Sequence, residues 1–260
     1  MIRRSTLAAL FCCALLGLAS IAGAETVRSG KLQVNFEGQL SPSSLPRSAQ
    51  APVRVAVSAK VSSTGAKAPP PMRQMTIAIN KYGHLDTTGL PVCRLEQIQP
   101  ATTDDALAGC RRSLVGEGRF LANVLLKGQA PFPSNGKVYA FNGELDGKPA
   151  ILAHVYGTQP APASFTLAFL ISRAKGTFGT TLTANLPPVN DGSGYITGIS
   201  LNLGKSFNDH GRHRSYITAS CPAPKGFPGA VFPFARASVG FQGGKTLSST
   251  LTRSCKAKGR

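Results

Sequence analysis

The chain has 260 residues and carries 29 Lys and Arg against 11 Asp and Glu, a formal net charge of +18. This length allows a sizeable core, either in one large all-β domain or in two smaller ones. The positive charge attracts anionic polymers and surfaces in a salt-dependent way, although it also serves simply to keep a protein soluble. The basic residues never form a run interleaved with aromatic residues, which argues against a specific nucleic-acid site.

The N-terminal segment, residues 1–24, has the features of a cleaved secretory signal peptide. Arg3 and Arg4 precede an apolar stretch at 7–18, and Ala22-Gly23-Ala24 has the small-residue pattern of a cleavage site. No later stretch approaches the ~18 consecutive apolar residues of a membrane-spanning helix. We therefore expect a mature chain, 25–260, without a transmembrane segment, that is secreted or associated with the cell envelope.

Along the mature chain, apolar and polar residues alternate with a period of two in many short segments bounded by Gly, Pro and Asn. This pattern is typical of half-buried antiparallel strands. The candidate strands are 31–36, 53–62, 72–80, 119–126, 137–145, 149–156, 164–173, 177–186, 195–203, 216–221, 231–241 and 246–255. About a dozen strands with almost no helix predict an all-β fold, an antiparallel β-sandwich of the jelly-roll or immunoglobulin-like type. We expect a single domain over 25–260, or two packed sub-units that meet near 127–136.

One segment, residues 102–114, breaks this pattern and predicts a short helix. Thr102 and Asp105 have the spacing of a capping box, in which each side chain bonds the backbone N–H of the other residue. Cys110 falls on the apolar face of this helix. The helix should therefore pack on the sheet and bring Cys110 close to Cys93.

Four cysteines remain once the signal peptide is removed, an even number that predicts two disulfides in an exported protein. Four cysteines allow three pairings, and we favour Cys93–Cys110 and Cys221–Cys255. The first closes a short loop around the predicted helix. The second joins two residues that share their strand faces with apolar residues, so both side chains point toward the core. A redox-active pair or a zinc site is disfavoured because the cysteines do not occur in close pairs.

Residues for catalysis or metal binding show no recognisable arrangement. The chain lacks a Gly-x-Ser-x-Gly elbow, and its acids show no evident pairing for glycoside hydrolysis. His210 and His213 are close in sequence, but Arg212 and Arg214 beside them would repel a metal cation. His154 lies within a candidate strand and is better explained as a structural histidine than as a catalytic base. The sequence therefore predicts no catalytic residues, no metal and no cofactor, although a triad scattered along the chain stays an alternative.

Positive charge is concentrated near the C-terminus, where nine Lys and Arg and no acid follow Gly211. Residues 207–214 predict an exposed hairpin. The Pro-, Gly- and Phe-rich segment 221–234 predicts either a rigid closing loop or an exposed lip that suits a polymer or protein surface. The residues expected to contact an anionic surface are Arg212, His213, Arg214, Lys225 and Arg236.

Several short motifs are distributed along the mature chain. They include Leu90-Pro91-Val92-Cys93-Arg94, Ala106-Leu107-Ala108-Gly109-Cys110-Arg111, Gly226-Phe227-Pro228-Gly229 and Leu251-Thr252-Arg253-Ser254-Cys255. These motifs resemble a group of secreted bacterial proteins that has no assigned activity. The resemblance covers most of the mature chain and implies export and a shared fold, but it transfers no site residues.

Together these features predict a secreted, non-enzymatic binding or structural module that associates with anionic cell-envelope surfaces. Its expected partner is an anionic cell-wall polymer or a membrane surface. The alternative is a hydrolase of an extracellular polymer. Such an enzyme would need a histidine, or two carboxylates within reach of each other, in a concave site.

Overall fold

The computed structural model describes residues 24–65, 68–99, 101–159, 161–187 and 194–258. The predicted signal peptide, apart from Ala24, lies outside the described residues. The strands are β1 (Glu25–Ser29), β2 (Leu32–Ser41), β3 (Ser44–Pro46), β4 (Ala51–Pro52), β5 (Arg54–Ser63), β6 (Met72–Asn80), β7 (Gly83–Leu85), β8 (Cys93–Arg94), β9 (Leu114–Val124), β10 (Phe132–Leu145), β11 (Lys148–Gly157), β12 (Ala163–Arg173), β13 (Phe178–Asn185), β14 (Gly194–Leu203), β15 (Ser206–Asp209), β16 (Arg212–Ser215), β17 (Ile217–Ala219), β18 (Gly229–Phe241) and β19 (Thr246–Lys258). The α-helix is α1 (Thr103–Cys110), with 3₁₀ turns at Leu95–Gln97 and Arg111–Ser113.

The main sheet contains 14 strands, of which 13 follow one another in a single path. The path runs β1-β2-β5-β14-β9-β10-β11-β12-β13-β6-β18-β19-β3, and β8 pairs with β10 outside it. Two pairs, β19 with β3 and β10 with β8, are parallel, so the sheet is mixed. The predicted all-β class with one short helix is confirmed. The strands, however, form one long curled sheet rather than the two separate sheets expected of a classical sandwich.

Curling brings the two ends of the sheet together around the main core. Nη1 of Arg253 on β19 lies 2.7 Å from Oε1 of Glu25 on β1. Gly38 on β2 is required here, because a Cβ at this position would lie 2.9 Å from Cδ1 of Leu251 and 3.0 Å from the ring of Phe234. The period-two pattern therefore places apolar residues on the inner, concave face of one curled sheet and polar residues on its outer face.

A small three-stranded sheet, in the order β4-β17-β7, packs against this core. Its apolar residues, including Leu85, Ile217 and Ala219, help to line a cavity of about 60 Å³. Nearby in the core, Tyr216 is fully buried and its hydroxyl has no hydrogen-bond partner among the described residues. Burial raises the pKa of Tyr216, so this phenol stays neutral.

A second, smaller core lies on the outer face of the sheet, beneath residues 93–113. This segment, which we name the cover, holds α1 and both 3₁₀ turns over β10 and β11. Ile98 and Ala106 of the cover are fully buried against Phe141 and Leu152 of the sheet. The outward face of β11 is thus apolar because the cover hides it from solvent.

Both predicted disulfides are present, Cys93–Cys110 and Cys221–Cys255. All four cysteines are buried, as the strand and helix faces predicted. Two disulfides fit an oxidising compartment. The described residues contain no helix with the length and apolar character that crossing a membrane requires.

Candidate functional site

The five residues predicted to bind an anionic surface lie on three separate elements. Arg212 and His213 are exposed on β16, Lys225 is exposed in the loop after β17, and Arg236 is exposed on β18. The guanidinium of Arg236 lies 5.0 Å from the ring centroid of Phe178, which holds it along the sheet. These residues therefore do not converge on one concave site.

The fifth residue, Arg214, has its charge balanced within the protein. Its Nη1 lies 3.0 Å from Oδ2 of Asp86, and its Nε lies 2.9 Å from Oδ2 of Asp209. Arg214 is partly buried by this arrangement, which braces the β15–β16 hairpin against the loop after β7. It is therefore a structural residue of the hairpin and is poorly placed to bind an external anion.

Cations do converge in a cleft on the outer face of the main sheet, with a volume of about 690 Å³. A row of paired residues on four neighbouring strands lines it: Gln39 on β2, Ala56 on β5, Asn202 on β14 and Glu117 on β9. Because paired residues of antiparallel strands point to the same face, this row presents two amides and one carboxylate to the cleft.

Three basic side chains complete the wall of this cleft, which we name the basic cleft. Arg54 begins β5, Arg111 follows α1, and Lys205 follows β14. Glu117 is the one acid among the described residues that line the cleft. The ion pairs found in the described part of the chain use other cations, so these three charges have no carboxylate bound to them there.

The local backbone permits this convergence. Gly204 has φ +151°, and a Cβ at this position would lie 2.8 Å from Cγ of Arg54. Gly116 is constrained similarly, since a Cβ added at this position would clash with the carbonyl oxygen of Asn202. Only glycine at these two positions lets β5, β14 and β9 approach closely with the Arg54 side chain passing over them.

Lys205 is held in place by a contact outside the strands. Its Nζ donates a hydrogen bond of 2.6 Å to the carbonyl oxygen of Arg112. Burial lowers the pKa of Lys205, and repulsion from the Arg112 guanidinium lowers it further. Arg112 does not line the cleft, so the positive character of the cleft rests on Arg54, Arg111 and Lys205 themselves.

The basic cleft continues along the sheet into a narrower groove of about 250 Å³. The two share Gln39, Ala56 and Asn202, and the groove adds Ser58 and Ser200 together with two charged residues, Glu37 and Arg253. The hydroxyl of Ser58 donates a hydrogen bond of 3.2 Å to the Glu37 carboxylate, and Arg253 is paired with Glu25. Hydroxyl and amide groups, with one carboxylate and one guanidinium, therefore extend the site beyond its basic end. An elongated site of this kind fits a chain molecule better than a single small ion.

A second large groove, of about 730 Å³, lies elsewhere on the sheet and has a different chemistry. Its described lining includes Gln74, Gln99, Thr166 and Asn185 together with apolar side chains, and it contains no charged residue. We name it the neutral groove. In a chain of net charge +18, the concentration of cations in the basic cleft is therefore a property of that cleft rather than of every concave surface.

Candidate catalytic groups are dispersed. His154 is fully buried beneath the cover, His84 is exposed on β7, and His210 is exposed at the tip of the β15–β16 hairpin. Among the described residues, no three His, Cys, Asp or Glu side chains are grouped as metal ligands. None of these histidines lines the basic cleft.

One acidic cluster does exist, where Asp86 and Asp209 share Arg214 and Asp209 contacts His210. A hydrogen bond with His210 lowers the pKa of Asp209, and Arg214 adds to this effect. Burial alone would raise the pKa of Asp86, but hydrogen bonds from Thr88 and Arg214 outweigh it and lower the pKa. Both carboxylates are therefore held ionised, which is unsuited to a general acid.

Sequence reasoning missed Arg54, Arg111 and Lys205 as a group. Each of these residues is at least 57 positions away from the next one in the sequence. Only the pairing of β5 with β14 and of β14 with β9 brings them together. The glycines at 116 and 204 were the available signal, since glycine within or beside a strand indicates close approach of another chain segment.

The chain matches no protein-family model, no curated protein and no solved structure. The resemblance to a group of secreted bacterial proteins therefore stays a prediction, and the function must be argued from the geometry described above.

Proposed function

We propose that this protein is a secreted, non-enzymatic binding protein that holds an anionic polymer of the cell envelope in the basic cleft. The observation that carries the proposal is the convergence of Arg54, Arg111 and Lys205 on one concave surface with a single opposing carboxylate. Cations that are held in a cleft attract anions more strongly than the same charges spread over an open surface.

The shape of the site supports a polymer as the ligand. The charged end could hold a phosphate or carboxylate group, and the adjoining groove, in which Glu37 and Arg253 carry opposite charges, offers Ser58, Ser200 and the shared amides to a neighbouring unit of the polymer. Guanidinium groups bind such anions with two parallel hydrogen bonds. The surrounding positive charge would raise the rate at which an anionic chain meets the cleft.

Hydrolysis of an extracellular polymer is the alternative activity. It is disfavoured because the ionised Asp86 and Asp209 are paired with Arg214 where the hairpin meets the loop after β7, and because the fully buried His154 has no access to a substrate. A hydrolase would need a proton donor beside the bound polymer. Glu117 is the one acid that lines the basic cleft. A second carboxylate, Glu37, lines the adjoining groove, but it lies on β2, three strands away from Glu117 on β9, and no described histidine lines either.

The test is binding of the mature protein to inorganic polyphosphate and to polygalacturonate, measured by calorimetry at low salt. The double variant Arg54→Gln/Arg111→Gln should weaken binding at least about tenfold, because two charge-assisted contacts are lost. The matched control Arg173→Gln/Lys175→Gln removes the same charge from the exposed end of β12 and the turn that follows. It should change the affinity less than about threefold.

Equal losses in the two double variants would show that the polymer responds only to net charge, and the cleft would then have no special role. Absence of binding to both polymers at low salt would overturn the proposal altogether. Raising the salt concentration should weaken binding of the wild-type protein more steeply than binding of the cleft variant, since the variant neutralises fewer ligand charges.

A further inference from the structure

A second surface combines exposed apolar side chains with lysines. Val231 is 74% exposed and Phe227 is 60% exposed, the two highest values among the exposed large apolar residues described. Phe227 lies in the loop after β17, and Val231 lies near the start of β18. We name this surface, residues 222–231 with Lys256 and Lys258, the lip.

The register of β18 and β19 places positive charge beside these apolar side chains. Val231 pairs with Ser254, and Gly229 pairs with Lys256, so Val231, Lys256 and Lys258 share the outer face at this end of the sheet. Lys225 adds an exposed charge within the loop itself. The last acid in the sequence is Asp209, so the lip has no acid of its own.

The lip is held in place by three sets of contacts. The guanidinium of Arg47 donates to the carbonyl oxygens of Pro224, at 3.0 Å, and of Phe227, at 2.7 Å. The Cys221–Cys255 disulfide ties the start of the loop to β19. The backbone N–H of Ala257 also donates to the carbonyl oxygen of Pro228. Exposure of Phe227 is therefore built into the fold, and little ordering is needed when a partner binds.

We propose that the lip docks on the surface of an anionic lipid bilayer, with Phe227 and Val231 entering the interface and the lysines contacting lipid headgroups. Two apolar side chains are too few for a stable protein interface, which buries about 800 Å² on each partner. They suit a bilayer interface, where buried apolar area and attraction of lysines to anionic lipids act together. The lip is distinct from the basic cleft, and this proposal does not depend on the one made for the cleft.

Tryptophan fluorescence tests the proposal directly, because the chain contains no Trp. In Phe227→Trp, the emission should shift to the blue with vesicles of phosphatidylglycerol and phosphatidylcholine, and bromine on the acyl chains should quench it. Vesicles of phosphatidylcholine alone should give a much smaller shift. Val92→Trp is the matched control, since Val92 is 51% exposed and lies outside the lip; its emission should not change.

Sedimentation with the same vesicles separates the two contributions. Phe227→Ser/Val231→Ser and Lys256→Gln/Lys258→Gln should each lower the partition coefficient roughly tenfold. Arg54→Gln/Arg111→Gln should change it less than about threefold, so the cleft and the lip can fail separately. All these positions are exposed, and circular dichroism checks that each variant is folded.

Two results would overturn the proposal. One is a tryptophan at position 227 that keeps its emission and stays accessible to a soluble quencher when anionic vesicles are present. The other is a Phe227→Ser/Val231→Ser variant that binds vesicles normally but loses self-association, which would assign the lip to a protein contact.

Discussion

The cover and the lip are each tied down by a disulfide, but they use it in opposite ways. Cys93–Cys110 holds the cover over β10 and β11, where it buries His154 completely. Cys221–Cys255 holds the lip against β19, where it keeps Phe227 exposed. The cover therefore hides a polar group that the sheet could have presented to solvent, and the lip displays an apolar group that the core could have buried.

The difference separates a part of the sheet that is covered by the protein itself from a part that stays exposed to solvent. Beneath the cover, neither ring nitrogen of His154 has a hydrogen-bond partner of good geometry among the described residues. Thr166, which pairs with His154 across β11 and β12, also has an unpartnered hydroxyl. A buried polar group without a hydrogen bond lowers the free energy of unfolding. The region beneath the cover therefore carries a cost in stability that the exposed lip does not.

The largest expected effect comes from removing the disulfide of the lip. Its cysteines are 34 positions apart, and loss of the bridge in Cys221→Ser/Cys255→Ser should lower the free energy of unfolding by roughly 4 kcal/mol in the chain-entropy model. Urea denaturation measures the change. Vesicle binding should also weaken, because the lip is then less well ordered. A variant with unchanged stability would show that Arg47 and the strand pairing hold the lip without the bridge.

The disulfide of the cover should contribute somewhat less. Its cysteines are 17 positions apart, so Cys93→Ser/Cys110→Ser should lower the free energy of unfolding by roughly 3 kcal/mol. We expect faster amide hydrogen exchange in α1 and β11 but unchanged exchange in β18 and β19. Equal acceleration throughout the main sheet would show that the cover is not a separate unit.

The local features of both regions were predictable from the sequence, because they depend on residues close along the chain. The spacing of Thr102 and Asp105 predicted the capping box, and strand and helix faces predicted the disulfide pairing. The Asp-Gly pair at 146–147, between two candidate strands, is likewise typical of a two-residue hairpin turn, and both residues have positive φ, as a tight hairpin requires.

The long-range arrangement was not predictable in the same way. A period of two shows which residues share a face, but it does not show which strands become neighbours. The pairing of β5 with β14, and of β6 with β13 and β18, joins segments more than 90 positions apart. The single curled sheet and the basic cleft both depend on such pairings, so the sequence indicated excess positive charge without locating its site.

His154 offers a third way to test the cover, through pH. Burial lowers the pKa of His154, and a weak backbone interaction with Ile98 opposes this effect. A histidine with a lowered folded-state pKa contributes full stability above its unfolded pKa of about 6.5, and that contribution is lost as the pH falls further. The loss between pH 6.5 and pH 5 is at most about 2 kcal/mol, since each pH unit corresponds to about 1.4 kcal/mol.

His154→Leu should therefore be at least as stable as the wild type at pH 8, because it removes two buried nitrogens that lack a hydrogen bond of good geometry. Between pH 6.5 and pH 5, it should lose less stability than the wild type. Urea denaturation at the three pH values measures the difference. His84→Leu, which changes an exposed histidine on β7, controls for removal of an imidazole as such. If both variants had the same pH dependence, burial beneath the cover would have no role in the titration.

The smallest expected effect concerns the first turn of α1, at the exposed edge of the cover. Oγ1 of Thr102 accepts a hydrogen bond from the backbone N–H of Asp105, and Oδ2 of Asp105 accepts one from the backbone N–H of Thr102. Thr102→Ala should therefore lower the free energy of unfolding by about 1 kcal/mol, whereas the neighbouring change Thr103→Ala should have little effect. The hydroxyl of Thr102 also donates a hydrogen bond of 2.7 Å to Oδ2 of Asp105. This bond first, and the one from the backbone N–H of Thr102 second, lower the pKa of Asp105, so the stabilising effect is present near neutral pH and is lost as the pH falls below the ordinary value of 3.8. Thr102→Ala should reduce that acid dependence as well, because it removes the hydroxyl donor and keeps only the backbone donor. Equal effects of the two alanine variants would mean that the disulfide and the buried face of α1 hold the cover without help from its cap.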